Sequence, residues 1–163
     1  NVLYTFLHLY HHLVELGVGL RQFCDVLCLL HSYHQVIDKK FLEKHLVTMG
    51  FMRAFCAIGW VLIHQMGLPI NEFPFKIQER DKKKEKDILD IVLRGGNFGK
   101  YISSTPVRSG MKYNIEATFR KFRHYYLFWN LSGKEIRATI MKEIPKKICF
   151  ALRLHGLNNK YKR

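Results

Sequence analysis

Three clusters of residues have types and spacings that could do chemistry. His8, His11 and His12 stand at i, i+3 and i+4 of a helical pattern, which can offer two imidazoles to one metal ion. No HExxH accompanies them and a third ligand would have to come from elsewhere, so they are expected to be solvated or interdomain histidines with no metal. The segment GVGLRQFCD is the sharpest local feature. Gly17 and Gly19 allow a tight turn, and Arg21, Gln22 and Asp25 follow in the first turns of a helix, where backbone N–H groups favour anions. Arg21 and Asp25 share one helix face, a spacing that suits an intrahelical salt bridge and also a phosphate or substrate contact.

The third cluster, RGGNFGKY, imitates a phosphate loop without matching it. Three residues rather than four lie between Gly95 and Gly99, and Lys100 precedes Tyr101 rather than Ser or Thr. A helix cap and turn is expected there, with Asn97 and Lys100 the residues placed to touch a ligand or partner. The acidic pairs Glu79/Asp81 and Asp87/Asp90 are expected on helix surfaces. No GxSxG, SxxK or GxGxxG is present, so nothing in the sequence commits this chain to catalysis.

Charge separates the two halves. Residues 1–75 hold five Lys and Arg against five Asp and Glu, whereas residues 76–163 hold 22 against 8, which is the whole net charge of +14. A field of that sign favours polyanions or an acidic partner protein. Residues 111–131 read as a basic amphipathic helix. Met111, Ile115, Phe119, Phe122, Tyr126 and Trp129 form a stripe at core spacing, and Lys112, Arg120, Lys121, Arg123 and His124 lie elsewhere. The stripe is expected to face the core. The alternative is a polyanion or membrane surface that uses stacking and charge.

The elements that must position these residues read as helices throughout. Apolar periodicity marks a helix that ends at Gly17, an apolar and central one over residues 20–34, a third capped by Asp38 and closed by Gly50, and a fourth over residues 51–66 closed by Gly67. LPINEFPF breaks the pattern at its prolines, with Leu68, Ile70, Phe73 and Phe75 expected to pin it to the core. A fifth helix starts at Glu79, residues 95–110 form the long loop, Gly133 separates the basic helix from a last one, and Pro145 is expected to kink or split that helix. The fold class is therefore all-α, an irregular multi-helix bundle of about six to eight helices in a single domain over residues 1–163.

With 163 residues and 48% hydrophobic composition, such a domain buries roughly 70% of its unfolded surface and needs no disulfide or structural metal. The longest apolar run, AFCAIGWVLI, is too short for the roughly 20 residues of a membrane span. Cys24, Cys28, Cys56 and Cys149 sit in apolar stretches without framework spacing, which suits a reducing cytoplasm. The opening NVLYTFLHLYHHLVE lacks the marks of a signal peptide, and the chain is expected to be a fragment of a longer protein.

The order GVGLRQFCD, LPINEFPF, GGNFGKY resembles the C-terminal half of a family of uncharacterised bacterial nucleotidyltransferase-fold proteins, often encoded near surface-polysaccharide genes. The resemblance covers most of residues 1–135. It implies a preceding nucleotidyltransferase core, with a Gly-Ser turn and paired acidic residues that hold Mg²⁺ for transfer from a nucleoside triphosphate; neither element is in this chain. It further implies that Gly17, Gly19, Arg21, Gln22 and Asp25, with His8 and His12 nearby, face that core or its substrate. Arg21 is the implied phosphate contact. The chain alone is then expected to be inactive, to bind no cofactor, and to position nucleotide or acceptor. The competing expectation is a non-catalytic basic module for a polyanion or acidic protein, and apolar surface left by an absent core would favour a homo-oligomer.

Overall fold

The computed structural model describes the backbone of residues 2–15, 17–95 and 111–160, and the side chains among them except 95, 111–115, 143–144 and 146–160. Its order is α1 (Val2–Glu15), α2 (Leu20–Tyr33), α3 (Lys39–Met49), α4 (Met52–His64), a 3₁₀ turn (Ile70–Glu72), α5 (Glu79–Lys82), α6 (Glu85–Gly95) and α7 (Met111–Lys160). No strand occurs among the described residues, so the protein is an all-α bundle. No helix among them is long and apolar enough to cross a membrane. Residues 96–110, with Asn97 and Lys100, lie outside the described residues.

Local chemistry sets most of the boundaries. Asp38 caps α3 by accepting from the Phe41 backbone N–H at 2.9 Å, and Gly50 ends it in the left-handed region at φ 79°. Gly17 and Gly67 stop α1 and α4 with positive φ in the same way. Gly19 does not share that role. It is extended, at φ −93° and ψ 164°, as the residue before α2. The expected fifth helix divides, because Gln78 and Asp81 form a reciprocal capping box around the short α5 before α6 begins. Asp81 is consequently buried, not on the surface, and its carboxylate accepts from the Gln78 N–H at 2.8 Å.

The core is built around α4, not α2. Every residue of 54–62 is buried, and α4 packs against α3, α5, α6 and α7. Phe6 of α1 meets Phe55 edge-on with centroids 4.9 Å apart, and Phe55 stacks on Phe73 at 5.2 Å. Gly59 makes room for that ring, since a Cβ there would lie 2.2 Å from Phe73 Cζ. By contrast α2 buries only Phe23, Val26 and Leu30, and Leu20, Cys24 and Cys28 are exposed. One narrow apolar stripe makes it a peripheral helix. In LPINEFPF, Leu68 and Phe73 are buried and Phe75 is half-buried, whereas Ile70 points to solvent. Glu72 anchors this turn to α2 through His31 Nδ1, 2.8 Å from its carboxylate.

Helix α7 departs most from expectation. Its break falls at Ser132 (φ −148°, ψ 45°), next to Gly133, and the chain passes Pro145 inside the helix. Ser132 Oγ lies 2.6 Å from the buried Tyr10 hydroxyl, which ties the bend to α1. The face turned to the core is His124, Tyr125, Phe128, Leu131 and Ser132, and Phe119, Phe122, Tyr126 and Trp129 of the predicted core stripe are turned out, Phe119 74% and Tyr126 84% exposed; the Met111 and Ile115 side chains lie outside the described residues.

Candidate functional site

At the α1–α2 corner, Gly17, Val18 and Gly19 are buried. This turn delivers Arg21 and Asp25 to the exposed side of α2 and Gln22 to a half-buried position. Arg21 and Asp25 are not ion-paired to each other among the described residues. On the adjoining α1, His8 is exposed and His12 half-buried, with the two rings edge to face at 4.5 Å. Burial, then the neighbouring His8 and His11, lowers the pKa of His12 and keeps its imidazole neutral near pH 7. The expected site residues thus divide between two packed helices and the buried glycine turn before α2.

A second polar region was not legible in the sequence. Between α6 and α7 lies a cleft of about 490 Å³, lined by Lys86, Asp87, Asp90 and Arg94 on one side and Arg120, Arg123 and His124 on the other. Lys84 pairs with Asp87 at 2.9 Å and Arg94 with Asp90 at 2.5 Å, so both carboxylates already have partners. Away from the cleft lining, Glu15 holds α7 to α1. Lys121 Nζ is 2.5 Å away and the Tyr125 hydroxyl donates to it at 3.1 Å. Burial raises the Glu15 pKa, but these donors and the Lys121 charge outweigh it and leave the carboxyl below its usual value. Lys121 and His124 therefore belong to the inner side of α7 rather than to a solvated basic face.

His124 is 3% exposed. The backbone of Val14 and Leu13 acts on its ring to favour the protonated form, and Nδ1 is buried with no hydrogen-bond partner. Burial, followed by the Arg120 and Arg123 charges, pushes its pKa down to about 4, so it is neutral near pH 7. Arg120 Nη1 is also buried without a hydrogen-bond partner. The signal that could have pointed here is the run Arg120, Arg123, His124, whose two cations precede the histidine within about one helical turn.

On the outer side of α7, Phe119, Phe122, Tyr126 and Trp129 form an exposed aromatic row, with Arg137 over the Trp129 ring at 5.9 Å. Cys24 and Cys28 are exposed thiols one turn apart on α2. Buried Cys56 has its pKa pushed up to about 11, chiefly by desolvation. Among the described residues no group of three or more His, Cys, Asp and Glu is arranged to hold a metal ion. No family model, curated protein or solved structure matches the chain.

Proposed function

We propose that this chain is the helical part of a metal-dependent nucleotidyltransferase, positioning nucleotide or acceptor for a core that carries the chemistry. The observation behind this reading is the α1–α2 corner: a buried Gly17-Val18-Gly19 turn presents Arg21 and Asp25 outward, neither engaged with the other. Opposite charges exposed on a helix beside a buried turn and not paired with each other suit contact with a second body better than an internal salt bridge. The described residues do not fit a Mg²⁺ site, since Asp87 and Asp90 are held by Lys84 and Arg94 and no suitable ligand cluster exists. Mg²⁺ and the nucleoside triphosphate therefore belong to the core in this reading, and the exposed Cys24 and Cys28 suit a reducing cytoplasm.

In the polypeptide that includes that core, Arg21→Ala is expected to weaken nucleotide binding or lower turnover by about tenfold, the worth of one charge-assisted hydrogen bond. Unchanged binding and turnover would remove the assignment. The aromatic row and surplus cations of α7 support a second reading, a non-catalytic module for a polyanion. Polyanion affinity that falls steeply with salt favours the second reading, and a shallow dependence favours the first.

A further inference from the structure

The exposed rings of Phe119, Phe122, Tyr126 and Trp129 recur at i, i+3, i+7 and i+10 of α7, so they share one side of the helix and extend over about 15 Å of its axis. Cations stand within this row rather than opposite it. Arg123 is one turn from both Phe119 and Tyr126, and Arg137 lies over the Trp129 ring at 5.9 Å. Arg123, Lys134 and Arg137 are exposed, and none is ion-paired among the described residues. From Ala117 to Lys134 the chain holds no Asp or Glu, and the next carboxylate, Glu135, lines the separate groove beside Tyr10 and Ser132. The row is therefore aromatic and cationic at once, and it complements a ligand that is aromatic and anionic.

We propose that this row binds single-stranded nucleic acid, with bases stacked on the rings and phosphates paired to Arg123, Lys134 and Arg137. The proposal rests on the polyanion reading of the chain and narrows it to one ligand class and one face. A polyanion without flat groups can use the cations but gains nothing from the rings, and a duplex keeps its base faces inside its own stack. Successive rings stand about 4.5–6 Å apart along the axis, wider than the roughly 3.4 Å step of a stacked strand. A single strand meets that spacing by opening its stack, and the row then has length for about three or four bases. A helix lying in a membrane surface sets its cations on the face opposite a broad apolar one. Here the cations interrupt the row, and no Leu, Ile or Val among residues 116–142 is exposed.

The test is fluorescence anisotropy of the chain with a labelled oligothymidylate of about ten nucleotides at low salt. A duplex of the same length, inorganic polyphosphate and phosphatidylserine vesicles are the comparators. The single strand is expected to bind about tenfold more tightly than the duplex. Tyr126→Ala should weaken it about fivefold or more, the worth of one stacked base, and Tyr126→Phe, which keeps the ring, should bind like the parent. Tyr126 is largely exposed, so both variants keep the fold. Arg123→Gln combined with Arg137→Gln should flatten the dependence of log affinity on log salt by about 1.4, the share of two phosphate contacts. Polyphosphate that competes as well as the oligonucleotide, or no loss in Tyr126→Ala, would overturn the proposal and leave the polyanion reading in place. Absence of binding by either probe would overturn both. Tighter retention on the vesicles than on the single strand, lost in Tyr126→Ala, would overturn the proposal in favour of a membrane surface.

Discussion

Helices α4 and α7 are both rich in aromatic and aliphatic residues at helical spacing, yet they meet the protein differently. α4 is buried along residues 54–62, while α7 turns Phe119, Phe122, Tyr126 and Trp129 to solvent and keeps His124, Lys121 and Ser132 on its inner side. The difference lies in what surrounds each helix. α4 has α3, α5, α6 and α7 packed against it, and α7 is held mainly to α1 and α4. Apolar periodicity therefore states that a helix has a sticky face, and the neighbours decide which face is covered. On α7, specific polar contacts choose the inner side: Glu15 with Lys121 and Tyr125, and Tyr10 with Ser132.

The comparison breaks most visibly in α4. Phe55 is fully buried between Phe6 and Phe73, and Phe55→Ala is expected to cost about 3–5 kcal/mol in chemical denaturation. A loss below about 1 kcal/mol would mean that α4 is not the centre of the core.

Next in size is an acid sensitivity centred on His124 of α7, with a further contribution of the same sign from His12 of α1. His124 has a folded pKa of about 4 against the usual 6.5, so the unfolded chain takes up its proton first. Stability contributed by neutral His124 is complete above pH 6.5 and is lost as pH falls towards 4, by about 3 kcal/mol in all. Arg120 and Arg123 of α7 and Lys86, Asp87, Asp90 and Arg94 of α6 line the same cleft and set the field there. Glu15 acts in a lower window, because its depressed pKa preserves stability until pH falls below 4.5. Denaturation of His124→Gln between pH 7 and 4 should show a flatter pH dependence than the unmodified chain. Identical slopes would remove His124 as the source.

The close approach of Phe73 to α4 gives a smaller effect. Gly59→Ala should cost about 1–3 kcal/mol, because the new methyl meets a buried ring that has little room to move. A neutral substitution would show that Phe73 can retreat without loss.

What the sequence made legible follows physical range. Asp38, Gly17, Gly50 and Gly67 act on backbone within a few residues, and they set helix ends as expected. The peripheral place of α2 and the outward turn of the α7 aromatics depend on distant partners, and periodicity read within one helix missed both. Gly19 lies extended before α2, since a glycine permits positive φ without requiring it. Of the candidate residues, the α1–α2 motif was visible as a local pattern. The α6–α7 cleft was not, because it takes shape only when Arg120 and His124 come against Lys86.

The smallest stability effect is the most informative about α7. Tyr126 is 84% exposed, so Tyr126→Ser should change unfolding free energy by less than about 0.5 kcal/mol, in contrast to Phe55. Burial of the aromatic row against a second copy would still make it costly to association, since exposed contiguous apolar surface is where partners dock. Sedimentation velocity across a concentration series separates the two. If the unmodified chain self-associates through this row, Tyr126→Ser combined with Phe119→Ser shifts it towards monomer while leaving its unfolding midpoint in place. If both variants associate like the parent, the row is not the self-contact. A fall in the midpoint would instead mean that α7 lies against the core in the orientation its periodicity predicts.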